Sequence, residues 1–155
     1  MKRKNTLRKK KLARRINTHT LKSRTKVKYS KNHAKLVSTF LETLDMIKLY
    51  HWKTKSYAHH KATDELHEEL SKSVDKFVEV LMGKTNNRIK MMEHHLTLYD
   101  LSSKKQFKTK LYEFRQLLTD LDRTFDPRDD SDLFTIRDDM LIHVNQFLYL
   151  ATLDK

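Results

Sequence analysis

The chain has 155 residues, 33 Lys+Arg against 20 Asp+Glu, one glycine, one proline and no cysteine. That length suits one domain with a real core. So little Gly and Pro removes the turn chemistry that a many-stranded sandwich or barrel needs. The missing cysteine excludes a disulfide framework, a thiolate zinc site and a cysteine nucleophile. No apolar run nears the ~18 residues of a membrane span, and the N-terminus lacks the apolar stretch of a secretory signal. The expectation is a mainly helical, soluble, intracellular protein (cytoplasm, nucleoid, nucleus or virion interior) with no membrane partner.

The charge is unevenly placed. Residues 1–35 hold 15 Lys+Arg and no acid, and the first acid of the chain is Glu42. The remaining 120 residues hold 18 basic and 20 acidic side chains. A nearly neutral body, residues 36–155, therefore carries a cationic arm, residues 1–35. With 9 hydrophobic residues in 35 and no helical period, the arm cannot offset its ordering entropy by burial, so it is expected to be disordered when alone. Its clusters Lys2, Arg3, Lys4, Arg8, Lys9, Lys10, Lys11, Arg14 and Arg15 suit DNA or another polyanion, bound through counterion release and without sequence preference. A targeting leader or nuclear signal is the other reading of the same residues.

From Leu36 the pattern becomes periodic. Leu36, Val37, Phe40, Leu41, Leu44 and Ile47 predict an amphipathic helix ending near Trp52. A polar break, Lys53 to Ser56, precedes a second helix over Tyr57 to Met82, with Ala62, Leu66, Leu70, Val74, Phe77 and Leu81 as its stripe and Gly83 as its C-terminal cap. Residues 88–101 predict a short helix inside a long connection. A third helix is expected over Ser103 to Phe125 on Phe107, Leu111, Phe114, Leu118, Leu121 and Phe125, stopped by Asp126-Pro127. The fourth starts around Asp130-Ser131-Asp132 and runs to the end on Leu133, Ile136, Met140, Val144, Phe147 and Ala151. Four such helices with a long connection between the second and third suggest a four-helix bundle of ferritin-like connectivity.

Helix 2 carries a row of metal-ligand types. At about 100° per residue, His60, Asp64, Asp75 and Glu79 fall at about 0°, 40°, 60° and 100°, away from the apolar stripe. The His60/Asp64 pair lies about 22 Å along the axis from Asp75/Glu79, too far for one centre in one chain. Two copies packed antiparallel about a two-fold axis would bring opposite ends together, making two equivalent sites suited to Fe(II), Mn(II) or Zn(II). His51, at the end of helix 1, is within reach. The bland reading is a solvated charged face. Asp139/His143 on the last helix is a weaker candidate, better read as a capping or salt-bridge feature with Arg137.

The stretch LYHWKTKSYAHHKATDELHEELSKSVDKFVEVLMG resembles the signature of the Dps-like branch of the ferritin superfamily. The matching residues are His51-Trp52, Tyr57, His60, Asp64-Glu65, Asp75 and Glu79. Carried over, the resemblance implies iron bound by His51, His60 and Asp64 of one chain with Asp75 and Glu79 of its two-fold mate. It also implies a homodimer or larger homo-oligomer, ferroxidase activity, and Trp52 and Tyr57 beside the centre to intercept one-electron oxidants. The break after His51-Trp52 is about three residues shorter than in Dps proteins. In that shorter form, and in the closing DLFTIRDDMLIHVNQFLYLATL, residues 36–155 are similar to small uncharacterised ferritin-like proteins of phages and large DNA viruses. Those proteins have no established activity, which leaves a non-catalytic structural or DNA-packaging virion protein as the alternative.

Overall fold

The structure, a computed structural model, describes residues 33–90 and 95–153. Among these residues it is all-helical, with four helices and no strand. The first, α1, is helical over residues 33–53. It already includes His33, Ala34 and Lys35, with His33 and Ala34 buried, residues the expectation assigned to the arm. The arm residues from Lys2 to Arg15 lie outside the described residues. Along α1 the stripe buries Leu36, Val37, Phe40, Ile47 and Tyr50, whereas Leu41 is exposed. Ser38 and Thr43 return their hydroxyls to the carbonyls of Ala34 and Thr39, satisfying themselves within the helix.

A three-residue turn leads to α2, Tyr57–Thr85, whose N-cap Ser56 accepts the His59 N–H. This helix passes Gly83 and ends two residues later. Asn86 takes the cap instead, at φ 46°, ψ 40°, with its N–H on the Gly83 carbonyl. Asn tolerates the left-handed region through its short polar side chain, so the cap does not need glycine.

The connection from α2 to α3 corrects the expected short helix. Residues 88–90 and 95–103 carry no helix; Met91 and Met92 lie outside the described residues. The chain is instead a strap across α1. Glu42 accepts the Thr97 N–H at 2.9 Å, and Lys53 meets Asp100. Ile89, Tyr99 and Leu101 pack against the core while Leu96 and Leu98 face solvent, a pattern with no helical repeat.

Helix α3, Lys104–Thr119, tightens into a 3₁₀ turn at Asp120–Arg123, earlier than the expected end at Phe125. Leu121 and Phe125 remain buried, because the tighter turn keeps them on the inner side. Asp126 accepts the N–H groups of Arg128 and Asp129, folding the chain at Pro127. Helix α4, Ser131–Leu150, follows, closing in a turn at 151–153 rather than continuing to the last residue. Of the three residues expected to cap it, N-cap Asp130 makes no side-chain cap bond and takes the Asp126 N–H instead, while Asp132 accepts the Leu133 N–H within the first turn.

The core is aromatic and shared by all four helices. Phe40 of α1 meets Phe77 of α2 edge-on (5.5 Å) and Phe114 of α3 (6.1 Å). At one end Tyr50 stacks on Phe107 (3.9 Å, 4°), which meets Phe147 edge-on. Helices α2 and α4 run antiparallel: Lys84 meets Asp132 at one end, and Ala62 and Leu66 share a cavity wall with Phe147 and Leu150 at the other. None of the described helices is long and apolar enough to cross a membrane.

Candidate metal centre

The α1–α2 turn folds the start of one helix onto the end of the other. His51, buried at 7% exposure, stacks on exposed His60 with ring centroids 3.9 Å apart. Each ring reaches the other's backbone: His51 Nδ1 lies 2.9 Å from the His60 carbonyl, and His60 Nδ1 lies 3.1 Å from the His51 carbonyl. A carbonyl only accepts, so both Nδ1 atoms carry the proton and donate. In the neutral rings both Nε2 atoms are then lone-pair donors, the arrangement that metal-binding imidazoles use. The His51 carbonyl, near the end of α1 where backbone acceptors run out of partners, gains one.

Asp64 stands beside this pair, one turn after His60. Its Oδ1 is 3.8 Å from His51 Nε2 and 3.5 Å from Lys48 Nζ. His67, one turn further and half-buried, is held below the ordinary imidazole value, first by burial and then by the Lys48 charge, while Asp64 opposes the shift. The local field therefore sets the Lys48 ammonium against the Asp64 and Asp45 carboxylates, with the imidazoles of His51, His60 and His67 nearby.

Thus the structure brings together His51, His60 and Asp64. It leaves Asp75 and Glu79 exposed further along α2, on the outward row but far from the histidines of the same chain. Among the described residues, no three His, Asp or Glu side chains are placed to hold a metal ion. Trp52 and Tyr57 flank the turn and are both exposed. On α4, Arg137 pairs with Asp138 (2.7 Å) and lies over the Phe134 ring, so the expected pairing with Asp139/His143 is replaced.

Two supporting residues escaped the periodicity reading. His59 is buried and its Nδ1 meets Tyr50 Oη at 2.9 Å. Thr63, fully buried, donates to the His59 carbonyl at 2.7 Å and lies 3.3 Å from His51 Nδ1. Both signals were present: His59 is three residues before Ala62, in register with the apolar stripe, and Thr63 follows it by one turn.

The model of a family of unknown function (DUF5856) matches residues 51–150, and the chain belongs to that family. The matched span begins at His51 and takes in His60, Asp64, Asp75 and Glu79. No curated protein and no solved structure matches the chain.

Proposed function

We propose that this DUF5856 member is a ferritin-like, Dps-like protein that binds iron between two subunits and holds DNA non-specifically through its basic arm. The observation that carries the reading is the reciprocal histidine pair, whose Nδ1 bonds free both Nε2 atoms, that of His51 lying 3.8 Å from Asp64 Oδ1. Imidazole with carboxylate suits Fe(II), Mn(II) or Zn(II), so the donor types fit the ion once a second copy completes the set. A second copy crossing α2 antiparallel would add the exposed Asp75 and Glu79 to each half-site, giving two equivalent centres. In this chain's part of the work, His51 and His60 bind, their backbone bonds hold the rings still, and Asp64 balances charge. Fe(II) is the substrate, oxidised by oxygen or peroxide.

The test is the native mass and metal content of one sample, together with Fe(II) titration followed by absorbance. A dimer or larger particle holding two metals per pair, with uptake lost in Asp64→Ala and in Glu79→Ala, is the expected result. A metal-free protomer would overturn the iron reading. For the arm, affinity for duplex DNA should fall steeply between about 50 and 200 mM salt and vanish on removal of residues 1–32.

A second reading has one observation behind it: Lys48 already neutralises Asp64. On that reading the bundle is structural or DNA-packaging, the acidic row serves only a subunit interface, and no metal accompanies the dimer.

A further inference from the structure

Tryptophan and tyrosine carry large apolar bodies that folded chains normally cover. At the α1–α2 turn two are left in water five residues apart, Trp52 at 67% exposure and Tyr57 at 76%. The segment from Trp52 to Lys61 holds three lysines and no acid. Lys53, Lys55 and Lys61 are all exposed. The stack of Tyr50 on Phe107 sets the first turn of α3 at the same end, adding exposed Lys105.

We propose that this end of the bundle is a stacking surface for single-stranded nucleic acid, with Trp52 and Tyr57 as base platforms and Lys55, Lys61 and Lys105 as phosphate contacts, Lys53 being paired with Asp100. The combination of exposed π-faces with a cationic border is what unpaired bases require, whereas duplex bases are already stacked on one another. Charge argues against self-association here, because a two-fold pairing of this end would oppose lysine to lysine. An anionic lipid surface would use the same cations, but between the two aromatics the chain runs Lys-Thr-Lys-Ser, with no aliphatic side chain to enter acyl chains beside them. The far end of the bundle repels a polyanion: residues 120–132 hold six aspartates and two arginines. The surface is separate from the arm, which contains only Tyr29 as an aromatic, and does not rest on the iron reading.

Trp52 is the chain's single tryptophan, so its emission reports on this end and not on the arm. The full-length protein, with chelator present, is titrated with oligothymidylate of about 15 nucleotides, with a duplex of equal length, and with phosphatidylserine vesicles. Saturable change of Trp52 emission by the single strand, and not by the duplex, is expected. Tyr57→Ala should weaken that binding at least about fivefold, and Lys55→Glu with Lys61→Glu should lower the salt slope by about 1.4. Both changes are at exposed positions, and helical circular dichroism verifies the fold. Single-strand binding that leaves Trp52 emission unchanged and ignores Tyr57→Ala would overturn the proposal and assign the binding to the arm. Emission that responds to vesicles alone, or to protein concentration alone, would overturn it in favour of a lipid surface or a copy-to-copy contact.

Discussion

The two ends of the bundle are closed in opposite ways. At the α1–α2 turn, closure is made by rings and backbone: Tyr50 on Phe107, His51 on His60, and Tyr50 to His59. Of the lysines there, Lys53 pairs with Asp100, while Lys55, Lys61 and Lys105 are displayed to solvent. At the far end, closure is made by charge. Lys84, at the end of α2, donates to the Asp129 carbonyl (2.7 Å) and Asp132 (2.9 Å) and lies 3.3 Å from Asp130. Asp126 spends its carboxylate on backbone N–H groups, and Arg123 pairs with Asp120. The contrast teaches which charges remain for a partner. Side chains engaged in holding two helices together offer little to a ligand, whereas an end held by stacked rings leaves its cations for binding.

The contrast can be broken from either side. Phe107→Ala removes a fully buried ring that touches Tyr50 and Phe147, and should cost about 3–5 kcal/mol in denaturant unfolding, the largest loss of this set. At the charged end, Asn86→Ala removes the short polar side chain that makes φ 46° tolerable, with an expected loss of about 1 kcal/mol; Asn86→Gly should leave stability nearly unchanged.

Lys84→Met should sharpen the pH response more than the stability at neutrality. Hydrogen bonding to Lys84 holds the Asp132 carboxyl below its ordinary value, and hydrogen bonding to Asp132 holds the Lys84 ammonium above its own. A depressed carboxyl stabilises the fold above its unfolded value near 3.8, and this contribution is lost as pH falls through the depressed value. The raised ammonium stabilises below about 10.5 and is lost as pH climbs past its raised value. Urea midpoints across pH should therefore flatten at both extremes in Lys84→Met. The smallest effect is at His33, stacked on Phe125. Burial lowers its imidazole below 6.5 while Asp130 opposes, so Asp130→Asn should move its NMR titration midpoint further down.

Much of the scaffold was legible because burial repeats with the helix. Leu66, Leu70, Val74, Phe77 and Leu81 are buried as their spacing implies, and so are Leu133, Ile136, Met140, Val144 and Phe147. Periodicity could not separate α3 from its 3₁₀ extension, since Leu121 and Phe125 stay inside through either turn. Nor could it foresee the strap at 95–103, which is fixed by Glu42, a partner 55 residues away from Thr97. In the candidate site, the four-residue spacing of His60 and Asp64 placed them on one face, and the turn placed His51 beside them. The paired backbone bonds of the rings were hidden, because they depend on how two helix ends meet. Asp75 and Glu79 stay apart from the histidines within one chain, and the sequence supplies only the row.

The histidine pair also bears on the order in which the chain assembles. Its bonds join residues 9 apart, whereas Lys84 and Asp132 must meet across 48. Short loops close sooner than long ones, so the α1–α2 hairpin should form ahead of the α4 docking step. Substitution at His51 should then slow refolding in stopped-flow traces, while loss of the Lys84 contact mainly hastens unfolding.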